Sequence, residues 1–477
     1  MSSLNTKRAR TSARKHWEKN LPVLAKYVKI PNRSPLFDAK WKKNGYMDQV
    51  VTLFMDWAKK RPYPIKVEKL QIKGRTPLIF MEVAATDDTA GQTAGTVILY
   101  GHLDKQPEME GWLPGLGPWK PVRRGPKFYG RGSADDGYAM FAAVNAIDIV
   151  KEQGLSHGRL VVLIEASEES GSPDLAAYME QYADLIGAPN LVICLDSGCG
   201  DYKRLWLTTS LRGVISGNLT VKILTEGVHS GDATGIVTDT FRIARSLISR
   251  IEDEETGDII LADLNVPVPE DRLRQAEETA NILRHEVFSK FPWAGKAAPP
   301  HSADYEDYLL RRTWRPGLAV TGAAGFPPEF DKSGNVLRPF TKLRLSMRIP
   351  PTANAANARE AMVKTLTRDP PYGAEVTFEA IPPMDGWNAP SLAPRLEESL
   401  NRASVAFFGQ PMAAQGEGGS IPFMGMLGKK FPDAQFVITG VLGPHSNAHG
   451  PNEFLHVPTA EKITASMAMV IADHAQF

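Results

Sequence analysis

Histidine and carboxylate side chains recur at one kind of place in this sequence, just after short apolar runs. The run at 96–100 leads into Gly101-His102-Leu103-Asp104, that at 160–164 into Glu165, Glu168 and Glu169, and that at 191–195 into Asp196. The run at 436–439 precedes a segment holding His445, His449 and Glu453. A fifth stretch, Gly130-Arg131-Gly132-Ser133-Ala134-Asp135-Asp136-Gly137, stands directly before a helical pattern. Imidazole plus carboxylate, without thiolate, is the donor set of zinc, manganese or cobalt hydrolase centres. Two such ions about 3.5–4 Å apart need a bridging carboxylate, and together they acidify a water and polarise a scissile carbonyl. A carboxylate off the ions must then take the water's proton and pass it to the leaving amine. Glu168 and Glu169, side by side, suit that division between base and ligand.

Each residue also has a plainer reading. A lone histidine such as His102 or His449 is more often a hydrogen-bonded or surface residue, an aspartate after a strand often caps a helix, and paired glutamates usually face solvent. Five coincidences at the ends of elements in one expected sheet outweigh those readings. Spacing alone does not choose between His445 and His449. The glycines at 130–137 superficially match a dinucleotide-binding turn, but acidic residues stand where pyrophosphate would approach and no apolar strand leads in. No Gly-x-Ser-x-Gly elbow is present, which disfavours a serine hydrolase. Gly418-Gly419-Ser420 is a Gly-rich loop suited to presenting backbone amides to an anionic group.

The elements that must position these residues follow from hydrophobic period. The apolar runs at 96–100, 160–164, 191–195 and 436–439 read as buried strands, with helices over 138–151 and 172–185 between them. That alternation predicts an α/β domain with a mainly parallel sheet, and ligands in such sheets bind beyond the strands' carboxyl ends. After Gly213 the texture changes to alternating strands at 214–224 and 342–349 with an amphipathic helix at 238–251, a second α+β unit. Residues 252–320, rich in charge, Pro and Trp, read as an irregular insertion. The α/β texture returns near Ser391, so one domain is expected to be inserted in the other: 1–212 with 385–477, and 213–384.

Composition bounds the partners. The 477 residues exceed what one core usually serves, and 55 Lys+Arg against 54 Asp+Glu leave a formal charge of +1 with no block of like charge, which argues against nucleic acid. No apolar run reaches the roughly 18 residues of a membrane span, and the N-terminus lacks the apolar stretch of a secretory signal. A soluble, cytoplasmic protein is expected. The opening 1–19 is basic and acid-free until Glu18, like a transit peptide, but shows no clear apolar face. Cys194 and Cys199 fit neither a redox pair nor a zinc ribbon, and Cys194 reads as a small core residue. No internal repeat or low-complexity segment is visible.

Four segments, 100–107, 130–136, 168–172 and 417–422, together with Pro451-Asn452-Glu453 after His449, resemble the M20 metallopeptidases, particularly the carnosinase-like cytosolic dipeptidases, and the likeness runs over nearly the whole chain. The resemblance implies a phosphorylase/hydrolase-like catalytic domain carrying a lid through which the protein dimerises. It implies two divalent ions, zinc first with manganese or cobalt as alternatives. His102 and Asp196 would hold one, Glu169 and His449 the other, and Asp135 would bridge them. It chooses His449 over His445, makes Glu168 the base and Asp104 the carboxylate that orients His102, and implies a cis peptide between Asp135 and Asp136. From the lid, His229 would reach the partner subunit's active site to stabilise an oxyanion, and Asn335 and Arg348 would contact the substrate's carbonyl or carboxylate. On residues alone, His229-Ser230-Gly231 reads as a turn and Arg348 as a solvated strand face. Gly137-Tyr138 replaces the family's common Lys-Gly, and Asn335 stands where carnosinase relatives carry Thr.

The expected activity is hydrolysis of the amide bond of dipeptides or similar small peptides. An N-acyl-amino-acid deacylase or carboxypeptidase-type amidase on the same scaffold is the nearest alternative. A non-catalytic binding protein is disfavoured because no ligand and no base is missing.

Overall fold

A computed structural model describes residues 3–297, 299, 304–327 and 329–477 of the chain. The described chain divides into two compact units. The first comprises residues up to Thr209, Ala389–Gln415 and Ile421–Phe477; the second comprises Ser210–Asn388 with Gly416–Ser420.

The first unit is built on a six-stranded sheet of β1 (Lys66–Leu70), β2 (Leu78–Val83), β3 (Thr96–His102), β4 (Arg159–Glu165), β5 (Leu191–Cys194) and β6 (Gln435–Ile438), in the order β1-β2-β4-β3-β5-β6. The pairs β4–β3, β3–β5 and β5–β6 are parallel, and β1 and β2 run antiparallel at one edge. Both faces are covered, which is why the strands are apolar throughout rather than alternating. Val97 and Leu99, with Leu160, Val162 and Ile164, join the main core beside α1 (Thr6–Lys29), α2 (Tyr46–Ala58), α3 (Gly137–Glu152) and α4 (Val457–His474). On the other face Tyr100 stacks on Phe423, ring centroids 4.1 Å apart. Nearly all of α3 and α4 is buried, so these helices lack a polar face and form the interior layer.

Three expectations from sequence differ from the structure. The N-terminal stretch does have an apolar face: α1, capped by Asn5 accepting from the Arg8 amide at 3.0 Å, buries Ala9, Ala13, Trp17, Leu21, Leu24 and Val28 at spacings of three and four. The first turns of that stripe are only alanine, Ala9 and Ala13, and the apolar positions are spread among many charged neighbours, so the face is hard to see in the sequence. The insertion at 252–320 is not irregular throughout, since it holds helices Glu270–Leu283 and Tyr305–Thr313 and, at its end, a strand from Gly317. Its first helix buries Ala276, Ala280 and Leu283, again a face made mostly of small residues. The helix expected over 172–185 is broken into Leu175–Gln181 and Ala183–Ile186.

The second unit contains a four-stranded antiparallel sheet of β7 (Gly213–Lys222), β8 (Gly317–Ala324), β9 (Phe340–Ile349) and β10 (Glu375–Ala380), ordered β8-β9-β7-β10. Here burial alternates strictly along β7 and β9, and the buried set packs on helices Thr240–Ile248 and Ala355–Thr367. Among the described residues no helix is long and apolar enough to cross a membrane.

Candidate metal centre

At the carboxyl edge of the first unit's sheet, β3 ends at His102, β4 leads to the short 3-10 helix Glu168–Ser170, and Asp196 follows β5. Gly101 lets the start of α3 close on β3, because a Cβ there would meet Asp136 Oδ2 at 2.6 Å and Ala139 Cβ at 2.5 Å. In the space so vacated, Asp136 Oδ2 accepts the His102 amide at 3.1 Å.

His102 Nε2 lies 3.2 Å from Asp135 Oδ1, 3.8 Å from Asp196 Oδ2 and 4.0 Å from Glu168 Oε2. His449 Nε2 lies 3.0 Å from Asp135 Oδ2 and 3.2 Å from Glu169 Oε2. Asp135 therefore has one carboxylate oxygen toward each imidazole. Among the described residues, ligand atoms of His102, Glu168 and Asp196 lie within 4.8 Å of one another, as do those of His102, Asp135 and Glu169. The imidazole that approaches Asp135 and Glu169 is His449; His445 is exposed. The Asp135–Asp136 peptide is cis.

The electrostatics are those of a cation site. Burial, and then the Asp196 charge, pushes Glu168 well above the ordinary carboxylate range, and burial pushes Asp196 up to about 7. Burial would raise Asp135 too, but hydrogen bonds from His102 and His449 hold it well below that range. Burial opposes charge on His102, yet Asp196, Asp104 and Asp135 together outweigh it and make the imidazole a strong base. Glu169 Oε1 is buried with no hydrogen-bond partner, a cost of about 1–3 kcal/mol that a bound cation would remove. Nitrogen and carboxylate donors with one oxygen left over fit divalent ions of the zinc or manganese type.

Asp104, which was expected, and several residues outside the expected set hold this arrangement. Asp104 lies 3.4 Å from His102 Nδ1 and also accepts the amides of Glu168 and Glu169, each at 3.1 Å. Gln106 donates to Glu169 Oε2 at 2.6 Å. Tyr138, at the position that departs from the family pattern, is fully buried and donates its hydroxyl to the carbonyl of Leu195, the residue before Asp196. Glu453 is wholly buried and accepts from Arg131 and from the amides of Gly132, Ala134 and Asp135. Only their places inside quoted motifs marked Gln106, Arg131 and Glu453 in the sequence.

The remaining expected site residues belong to the second unit. His229 is exposed, in a two-residue ladder with Val336, and the Ser230 amide donates to the Asn335 carbonyl at 2.9 Å. Arg348 Nη1 donates to Ser420 Oγ at 3.2 Å, and Ser420 in turn donates to the Arg212 carbonyl. Gly419 is exposed, with nothing within 4 Å of where a Cβ would stand. Arg348 is thus not simply a solvated strand residue; burial lowers its pKa.

Comparison with known proteins agrees with this chemistry. Cysteinylglycine-S-conjugate dipeptidase of Corynebacterium striatum is 26% identical over 376 residues, 77% of this chain and 80% of that protein. Beta-Ala-His dipeptidase of Homo sapiens is 28% identical over 294 residues, but these span only 58% of this chain and 53% of the human protein. In fold, the chain is similar to human carnosine dipeptidase 1 (TM-score 0.76, 20% identity, 99% of each chain) and to the di-peptidase Dug1p of Saccharomyces cerevisiae (TM-score 0.80, 19% identity, 100% of each). The family model described as peptidase family M20/M25/M40 matches residues 98–473, a span that contains every member of the cluster. The chain belongs to peptidase family M20/M25/M40.

Proposed function

We propose that this protein is a two-metal dipeptidase. The observation that carries the reading is the convergence of His102, Asp135, Glu169, Asp196 and His449 on one sheet edge, with Asp135 turned to both imidazoles. In this reading His102 and Asp196 hold one ion, Glu169 and His449 the other, and Asp135 both. Zinc suits the donor set, as do manganese and cobalt. Bound ions would supply Lewis-acid polarisation of the scissile carbonyl and a water acidic enough to ionise near neutral pH.

The chain's own residues do the rest. Glu168 Oε2 is 4.0 Å from His102 Nε2 and close to the His102–Asp196 pair, where a water's proton is within reach for transfer to the leaving amine. Asp104 orients His102 through Nδ1. Arg348 and the Gly419-Ser420 loop are assigned to the substrate's carboxylate or carbonyl, and Asn335 beside them in role. We assign His229 to the partner subunit's oxyanion, in a homodimer made through the second unit. β8 supports that dimer, because it is an edge strand with most of its length exposed, Val320 among it at 52%. The relatives' printed activities on Cys-Gly conjugates and on β-Ala-His make the substrate class a dipeptide, and the balanced charge suits a cytoplasmic enzyme.

A dipeptidase engages the substrate's free amine as well as its carboxylate, whereas an acyl-amino-acid deacylase does not. Metal-reconstituted protein should therefore release alanine from Ala-Ala much faster than from acetyl-Ala. The reverse preference would replace this reading with a deacylase.

A further inference from the structure

Asp135 and His449 face each other at 3.0 Å, yet they come from loops more than 300 residues apart in sequence, and neither is in a strand or helix. The His449 loop is not held by regular structure. His445, Asn447, His449 and Asn452 all have φ between 54° and 64°, and the His449 side chain is half exposed. Some other contact must fix the distance between the two loops.

That contact is a buried ion pair. Glu453 Oε2 accepts from Arg131 Nη1 and from the Gly132 amide, both at 2.9 Å; Oε1 accepts from the amides of Ala134 at 3.0 Å and Asp135 at 3.2 Å. The other two nitrogens of Arg131 donate to the Gly450 carbonyl at 2.7 Å and the Pro107 carbonyl at 3.1 Å. The Gly130 amide donates to the Glu453 carbonyl at 3.0 Å. Both side chains are sealed, 0% and 1% exposed. One carboxylate thus grips the three amides that end at Asp135, while its partner guanidinium grips the residue after His449. A buried pair satisfied this fully costs several kcal/mol when one partner is removed, so it defines geometry more than it adds stability.

We propose that Glu453, acting with Arg131, is the positioning residue that sets Asp135 against His449 and so determines affinity for the ion these two residues share with Glu169, without touching ion or substrate itself. The inference rests on the proposed ligand roles of Asp135 and His449.

Glu453→Gln tests it. The amide is isosteric, but its NH2 must face two N–H donors in place of an oxygen, so the grip on 132–135 fails. Ion affinities would be read by competition with a chromophoric zinc chelator, and site geometry by the visible spectrum of the cobalt-substituted protein. One of two ions should bind about 10–100-fold more weakly, the size typical of lost outer contacts to a metal site. The other, which shares Asp135 but keeps His102 and Asp196, should weaken by less. Turnover of Ala-Ala should recover as zinc is raised, which a general loss of fold would not allow. If Glu453→Gln does not fold, Arg131→Lys decides in its place, since it keeps the charge and loses the links to Gly450 and Pro107. Wild-type affinity for both ions in a folded variant would overturn the proposal. His449→Ala serves as control: if it leaves both ions bound as in wild type, the ligand reading fails, and the proposal with it.

Discussion

Asp104 touches both a proposed metal ligand and the proposed base: its carboxylate is 3.4 Å from His102 Nδ1 and accepts the backbone amide of Glu168 at 3.1 Å. A single buried anion thus sets the ring of one proposed ligand and the turn that carries the proposed base. Asp104→Asn keeps the size but presents a donor to one of these partners. It should weaken metal binding about 10–100-fold and lower kcat as well. Unchanged metal affinity with unchanged kcat would show that Asp104 merely fills space.

Glu168→Gln should separate binding from chemistry. Glu168 is assigned to the proton and not to an ion, so metal content by elemental analysis should stay near two per chain while turnover falls about 10²–10⁴-fold. Loss of an ion from this variant would make Glu168 a ligand, an arrangement that its grouping with His102 and Asp196 also permits.

Mixing inactive subunits tests the role given to His229. One hybrid active site between His229→Ala and Glu168→Ala chains would combine an intact base with the partner's intact imidazole, and activity should return on subunit exchange. A stabilised oxyanion is worth about 3–4 kcal/mol, so the single His229→Ala variant should lose two to three orders of magnitude in kcat. Heterodimers that form without recovering activity would remove His229 from the partner's site.

His474, on the last turn of α4, provides a stability test away from the centre. Burial lowers its pKa to about 4, its Nδ1 has no partner, and the neighbouring Asp473 is committed to Ser399 and Arg402 at 2.6 Å each. Between pH 6.5 and 4 the unfolded chain binds a proton at His474 that the folded chain does not, so stability is lost as pH falls through that window. Wild type should lose about 2 kcal/mol more than His474→Gln between pH 7 and 5 in urea unfolding. Equal losses would show that the imidazole is solvated.

The parallel strands and the residues after them were legible because burial on both faces writes an unbroken apolar run, and ligands collect where such runs stop. His102, Glu169 and Asp196 could be picked out for that reason, and Asp135 because its glycine-rich stretch stands directly before a helix. α1 was not read as a packed helix, because its buried stripe opens on the small residues Ala9 and Ala13 among many charges and Pro22 lies within it. The same holds for Glu270–Leu283, whose charges drown Ala276 and Ala280. Glu453 is the instructive case. An acidic residue in a Gly/Pro/Asn loop looks solvated, and its burial is visible only when the amides of Gly132, Ala134 and Asp135 are brought to it from more than 300 positions away.

In the proposed reaction, two ions at the His102–His449 cluster are required to hydrolyse a dipeptide. Metal-depleted protein would be titrated with zinc while alanine release from Ala-Ala and bound metal per chain are measured together. Activity should be absent at the start and rise until two ions per chain are bound. Full activity without metal, or a plateau at one ion per chain, would rule out a two-metal reaction.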